Sequence, residues 1–301
     1  MTRSRRSEAR GAPVGERDGR LGAHLGVVVV AAGSGERLGS GNPKALVPLA
    51  GRSLLAHALA GLASAGLPPA VVVHTPGAAE TFALAAGDLP IAALVPGGAT
   101  RTASVAAGVA ALPPSAEVVV IHDAARPLTP PEVIGAAVAA VTDGVDVLAA
   151  APGIPVADTL KRTEDGQVLS TVDRSGLVGV QTPQVFPRHV LDRVLSGVPS
   201  RRPGADAPPL EAATDDLGLV ERLRDRGVLD GRILVVPGSI WARKVTYPAD
   251  LALLELLAEH DAPVVSAQGP LGQTAGPAGS GATTAGRAGA GATAAEDRAS
   301  R

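Results

Sequence analysis

The sequence predicts an α/β fold: a Rossmann-like, doubly wound, mostly parallel sheet with helices on both faces. Three observations carry that expectation. Val27 to Val30 is a run of four valines, too short for a helix and β-branched throughout, as in a strand buried on both faces. The run opens into a glycine-rich loop, Ala31 to Lys44 (AAGSGERLGSGNPK). Beyond the loop, strand-like and helix-like stretches alternate at βαβ intervals as far as Asp123.

The loop is the first candidate site. Gly33, Gly35, Gly39 and Gly41 let backbone N–H groups come close to a phosphate, and Arg37 and Lys44 are its two cations. It is not a dinucleotide fingerprint, because Leu38 stands where the third glycine belongs. Nor is it a Walker A loop, since Pro43 precedes Lys44 and Ala45 follows it. An ordinary strand-to-helix connection remains the plain alternative. Two cations in one loop weigh against it, because they suit charge building up on a transferring phosphoryl group.

The remaining elements follow in order. Ser53 to Ser64 has Leu54, Leu55, Ala58, Leu59 and Leu62 at helical spacing. Ala70 to Val73 and Ile91 to Val95 read as strands. A second glycine loop, Gly97 to Ser104 (GGATRTAS), leads into a helix reaching Leu112. Glu117 to His122 is another strand, ending at Asp123 and followed by Arg126. Val156 to Arg162 and Gln167 to Asp173 read as two strands joined at Asp165-Gly166, a strong hairpin signal. Such a hairpin has no helix of its own to cover it, so its most economical burial is against another subunit. Val178 to Gln181 rejoins the sheet, and Ser200 to Ala212 is a Pro- and Arg-rich surface loop. Asp215 to Arg224 is expected as a helix with Thr214 as N-cap. Ile233 to Val236 is the last strand. Lys244-Val245-Thr246 precedes a helix with Pro248 in its first turn.

Composition narrows the classes. The chain has 301 residues, a net charge of −2, four aromatic side chains and no cysteine. That balance points away from polyanion binding and nucleic-acid stacking platforms, and leaves no disulfide, thiolate metal site or cysteine nucleophile. A reducing, cytoplasmic setting is compatible with it. Residues 1–22 carry six arginines and no apolar run long enough for a signal peptide or membrane span. They read as a disordered basic extension. Residues 263–301 are rich in Gly and Ala and read as a disordered tail. The folded unit is expected over residues 23–262.

At the ligand-binding edge of such a sheet, beyond the strand carboxyl ends, Asp123 is a natural Mg²⁺ ligand facing a phosphate-type loop. A cap or turn residue is the plain alternative, and His122 reads as structural. The motifs AAGSGERLG, PK, GGATRTASV, HDAARP, DTLKR, TVDR, QTPQ, TDD and KVT occur in this order between Ala31 and Thr246. Together they resemble the 2-C-methyl-D-erythritol 4-phosphate cytidylyltransferases of the non-mevalonate isoprenoid pathway. The loop alone is similar to that of sugar-nucleotide nucleotidyltransferases.

The resemblance implies the nucleotidyltransferase fold, CTP as co-substrate, Mg²⁺ or another divalent cation, and a homodimer. Its dimerisation arm would be the hairpin at about residues 155–176. It implies that Arg37 and Lys44 hold the CTP phosphates, in a loop comprising Ala31, Ala32, Gly33, Ser34 and Gly35. Gly97, Gly98 and Ser104 would meet the cytosine and ribose, with Arg101 also in the CTP site. Asp123 would coordinate the metal with Ala124 and Arg126 nearby. Asp158, Thr159 and Arg174 of the arm, with Thr182, Thr214 and Lys244, would surround the methylerythritol phosphate. Asp158 pairing with Arg162, or Thr214 serving as a helix cap only, are the structural alternatives. A different polyol phosphate such as ribitol 5-phosphate, or a non-catalytic nucleotide-binding module, are the functional ones. The chain departs from the family pattern at Ala242 and Arg243, where an Asn and an apolar residue usually precede the lysine. It also departs in the long Ser200 to Ala212 loop and at Glu36, a position that is often basic.

Overall fold

The computed structural model describes residues 24–39, 41–196 and 215–259. The expected N-terminal extension, the Gly/Ala-rich tail, the Ser200 to Ala212 loop and Thr214 lie outside the described residues. In chain order the main elements begin with β1 (Leu25–Val30), α1 (Leu54–Ser64), β2 (Ala70–His74) and α2 (Ala79–Ala86). Next come β3 (Ile91–Pro96), α3 (Arg101–Ala110), β4 (Val118–Asp123) and α4 (Pro131–Thr142). The strands β5 (Val147–Pro155), β6 (Leu160–Glu164), β7 (Gln167–Val172), β8 (Val178–Val180) and β9 (Gln184–Pro187) follow. The last are α5 (Arg188–Leu195), α6 (Leu217–Asp225), β10 (Arg232–Pro237) and α7 (Pro248–Glu259).

The valine run sits at the centre, as its composition requires. Val27, Val28 and Val29 are fully buried, each contributing about 1.5–3 kcal/mol of apolar burial. Alternate residues face opposite layers. Val27 and Val29 pack with Leu55, Leu59, Phe82 and Ile134 of α1, α2 and α4. Val28 packs with Val105, Val109, Leu191 and Leu219 of α3, α5 and α6. The sheet is therefore wound on both faces. A small third cluster joins Leu38, Leu49 and Leu54 to Val245 and to Leu254 in α7.

Strand β1 pairs in parallel with β2 on one side and β4 on the other, and β3 adds outside β2. The chain therefore reverses direction across the sheet between β1 and β4. A crevice opens beyond their carboxyl ends at that point. The far half of the sheet is mixed. β9 runs antiparallel to β4 and β5, β8 antiparallel to β5, and β10 parallel to β5.

Three differences from the sequence reading stand out. β5 and β9 carry no pattern that marks them as strands. β5 is Val-Leu-Ala-Ala-Ala-Pro-Gly-Ile-Pro, which lacks β-branched density and contains both breakers, so its neighbours rather than its composition extend it. The helix expected from Asp215 starts at Leu217, with Asp216 at the N-cap position and Asp215 Oδ1 accepting the Gly218 N–H at 3.0 Å. The hairpin forms as a separate two-stranded sheet of β6 and β7, with Asp165 and Gly166 at positive φ as a tight turn needs. Its first strand begins at Leu160 rather than Val156, and Val168 and Leu169 on the second are exposed.

Candidate active site

The two glycine loops leave β1 and β3 at the same edge and touch. A Cβ on Gly97 would lie 2.5 Å from the Ala32 Cβ and 3.0 Å from the Ser104 Oγ, so only glycine lets the loops meet there. Gly35, at φ 73°, turns the first loop back so that the Lys44 N–H donates to the Gly33 carbonyl at 3.2 Å. The second loop is held by Ser104, whose hydroxyl accepts the Gly98 N–H at 3.1 Å and donates to the Thr100 carbonyl at 3.0 Å. Thr100 caps α3, its hydroxyl accepting the Ala103 N–H. Between the loops lies a cavity of about 280 Å³, walled by Ala31, Ala32 and Gly33 on one side and by Gly98, Thr100 and Ser104 on the other. The N-terminus of α3 opens on it, a favourable place for an anion.

The floor of the cavity is ionic. Asp123, at the end of β4, accepts from Lys244 Nζ at 2.7 Å and from Arg101 Nη2 at 3.3 Å. Arg101 Nη1 reaches Asp216 Oδ2 at 2.6 Å. Burial by itself would raise the Asp123 carboxyl, but Lys244 and Arg101 outweigh it and hold that group well below the usual carboxylate range. Burial also works against the Arg101 charge, and Asp216 and Asp123 overcome it, leaving the guanidinium firmly protonated. Lys44 lines the same cavity and donates to the Val245 carbonyl at 3.0 Å. Its ammonium is pushed down, first by burial and then by Lys244 and Arg37.

A second cavity, of about 350 Å³, adjoins the first and is walled by Arg126, Gln181, Thr182, Gln184 and Asp215. Arg101, Asp123 and Lys244 line both. One compartment is framed by phosphate-type loops, the other by hydroxyl, amide and guanidinium groups, and three charged side chains form the partition. Such a pair can hold two anionic substrates and set their reacting groups against one another.

Residues 25–260 match the family of 2-C-methyl-D-erythritol 4-phosphate cytidylyltransferases. The chain belongs to that family. A 2-C-methyl-D-erythritol 4-phosphate cytidylyltransferase of Saccharopolyspora erythraea is 45% identical over 235 residues, 76% of this chain and 96% of that relative. A bifunctional enzyme IspD/IspF of Clavibacter michiganensis is also 45% identical, over 82% of this chain, which spans 57% of that longer relative. Among solved structures, the 2-C-methyl-D-erythritol 4-phosphate cytidylyltransferase of Thermus thermophilus superposes with a TM-score of 0.60 at 31% identity, over 78% of this chain and 99% of that one. The chain is thus a nucleotidyltransferase by family.

The structure gathers most of the expected site residues and leaves some apart. Ala31, Ala32, Gly33, Lys44, Gly98, Arg101, Ser104, Asp123, Ala124 and Lys244 line the first cavity, and Gly97 lies directly behind Ala32 and Ser104. Thr182 and Arg126 line the second. Arg126 donates to the Ala242 carbonyl at 2.6 Å and the Val180 carbonyl at 3.3 Å, bracing the segment before Lys244. Ser34, Gly35 and Arg37 stand outside both cavities. The Ser34 hydroxyl donates to Glu36, and the Arg37 guanidinium sits 5.9 Å from the centre of the Tyr247 ring. Asp158, Thr159 and Arg174 also line neither cavity. Arg174 Nη1 donates to the Val156 carbonyl at 2.8 Å and to the Ala157 carbonyl, tying the base of the hairpin.

Three supporting residues escaped the sequence reading. Asp216, inside the TDD motif, anchors Arg101. Gln181 bridges to Ser239, donating to its carbonyl at 2.7 Å and accepting its N–H at 3.0 Å. Asp250, in the first turn of α7, accepts from Arg243 Nε at 2.6 Å and from the Thr246 and Tyr247 N–H groups at 2.9 Å, shaping the turn that carries Lys244. The departures at Ala242 and Arg243 therefore have partners: Arg126 for the Ala242 carbonyl, Asp250 for the Arg243 side chain. A capping carboxylate just inside a helix was the only local signal for Asp250.

Proposed function

We propose that the chain transfers CMP from CTP to 2-C-methyl-D-erythritol 4-phosphate, giving 4-diphosphocytidyl-2-C-methyl-D-erythritol and pyrophosphate. The observation that carries this reading is the partition: Arg101, Asp123 and Lys244 belong to both cavities. CTP occupies the loop-lined cavity and the polyol phosphate the other. A phosphate oxygen of the acceptor attacks the α-phosphorus, and the bond to the bridging oxygen breaks with its electron pair leaving on pyrophosphate. The nucleophile is already ionised, so no general base is needed. Catalysis consists of positioning and charge stabilisation. Lys44 and the α3 N-terminus hold the triphosphate, and Lys244 and Arg101 balance charge between the two substrates.

A divalent ion, Mg²⁺ by its preference for phosphate and carboxylate oxygens, fits this arrangement. Among the described residues no group of three or more His, Cys, Asp or Glu side chains assembles. Asp123 would therefore hold the ion together with triphosphate oxygens. When bound, it would neutralise charge on the transferring group.

The reading extends to a homodimer joined through the hairpin arms, with Asp158, Thr159 or Arg174 of one chain completing the acceptor cavity of the other. The exposed Val168 and Leu169 support it, since an isolated two-stranded hairpin is marginal in water. A cytoplasmic location is in keeping with the cysteine-free composition. No helix among the described residues is long and apolar enough to cross a membrane. The test is pyrophosphate release from CTP with a panel of polyol phosphates. Turnover with the methylerythritol phosphate well above that with ribitol 5-phosphate is expected. The reverse order would reassign the acceptor, and no release with any would leave a nucleotide-binding module.

A further inference from the structure

Behind the ionic partition lies a layer of buried polar atoms that the phosphoryl chemistry does not use. His122 is 1% exposed and Thr182 3%. The His122 ring has two polar neighbours. Nε2 lies 3.2 Å from the Arg126 carbonyl oxygen, and Nδ1 lies 3.0 Å from the Thr182 hydroxyl oxygen. A carbonyl can only accept, so Nε2 carries the ring hydrogen. The ring is enclosed and its two polar partners, a carbonyl and a hydroxyl, carry no charge to offset an imidazolium, so with the hydrogen on Nε2 the Nδ1 atom is a bare acceptor. The single hydroxyl hydrogen of Thr182 must then point at Nδ1. The same hydroxyl oxygen accepts the Asp123 backbone N–H at 3.1 Å. One lone pair of Thr182 is left over, on a side chain that lines the acceptor cavity. Lys244, the ammonium on that wall, is engaged by Asp123.

We infer that His122 is a positioning residue that fixes the Thr182 hydroxyl as a hydrogen-bond acceptor toward the substrate, so that the site reads a hydroxyl of the polyol chain at this point rather than its phosphate. An ionised phosphate monoester offers only acceptors, and a lone pair facing it repels. An alcohol donates. The same hydrogen bonds tie the Arg126 carbonyl, Thr182 and the backbone of Asp123 into one chain, so the group that selects the hydroxyl also fixes the origin of the central carboxylate. This inference rests on the acceptor being a polyol phosphate, as proposed above. Its distinguishing consequence is a penalty confined to that substrate, because a site built to pair a hydroxyl rejects an analogue that lacks it.

The experiment has two arms on the full chain. In the first, the histidine rings are labelled with ¹⁵N, and two-bond ¹H–¹⁵N correlation at neutral pH reads the tautomer, the His122 signals being assigned by their loss in His122→Asn. A hydrogen on Nε2 and none on Nδ1 is expected; a hydrogen on Nδ1 overturns the inference. In the second, Thr182→Val is expected to raise KM for the polyol phosphate about tenfold with KM for CTP within about twofold of wild type, and Thr182→Ser to recover most of the loss. His122→Asn, which keeps an amide oxygen near the Nδ1 position, is expected to retain a lower polyol-phosphate KM than His122→Leu. Equal rises in both KM values for Thr182→Val overturn the inference. Should the leucine variant fail to fold, the tautomer and the Thr182 pair decide. Absence of pyrophosphate release in the wild type would defeat the proposed reaction instead, and the ring tautomer would still judge the hydrogen-bond assignment.

Discussion

Lys244 Nζ stands 2.7 Å from Asp123 Oδ2, joining residues 121 positions apart, while Arg101 occupies the other oxygen of the same carboxylate. One anion thus organises two cations at the boundary between the cavities. Replacing Lys244 by Gln removes a preorganised charge and leaves Asp123 paired with Arg101. Pyrophosphate release should fall about 10²–10³-fold in kcat, with an unchanged circular dichroism spectrum. A turnover number within about threefold of wild type would take Lys244 out of the reacting zone.

Lys44 gives a prediction in pH as well as in rate. Lys44→Ala should remain soluble and folded and lose about 10²–10³-fold in kcat. The charged ammonium is the working form, and burial, Lys244 and Arg37 lower its pKa. Activity is therefore full below that pKa and declines as pH rises through it. The alkaline limb of kcat/KM for CTP should begin below the value of an ordinary lysine, about 10.4, and move upward in Lys44→Arg. A limb unmoved by that exchange would assign it to another group.

Asp216 is 1% exposed and holds Arg101 at 2.6 Å. Asp216→Ala leaves a guanidinium that is only 27% exposed with a single anionic partner. Loss of a buried partner costs about 3 kcal/mol, readable as a lower midpoint in urea. The loosened Arg101 should also raise KM for CTP several-fold. Unaltered KM with lowered stability would confine Asp216 to a structural role.

The arm is tested by mixing two impaired variants, Lys44→Ala and Arg174→Ala. If sites are shared between subunits, mixed dimers contain one site free of both changes, and activity partly returns. If subunits demonstrably exchange and no activity returns, each site is built within one chain.

Stretches whose structure follows from local chemistry were legible in the sequence. The β-branched run of β1, the glycine loops, the Asp165-Gly166 turn and the strand ending at Asp123 each announce themselves within a few residues. For the same reason Lys44 and Asp123 could be named from their own surroundings, whereas Arg101 and Lys244 were named through the ordered motifs that the chain shares with its family. β5 and β9 could be named in neither way. An alanine-rich segment with Pro152 and Gly153 has no period of its own, and becomes a strand because β8, β9 and β10 offer it hydrogen bonds on both edges.

The sequence by itself determined the α/β class, the phosphate-type loops and the charged residues at the strand ends, because composition and spacing act over short distances. Only the tertiary structure decided which polar groups meet. Arg101 finds Asp216 across 115 residues, Thr182 finds His122 across 60, and Lys44 finds the Val245 carbonyl across 201. No local pattern encodes those pairings. They arise because buried donors and acceptors must be satisfied once the sheet has brought their strand ends together.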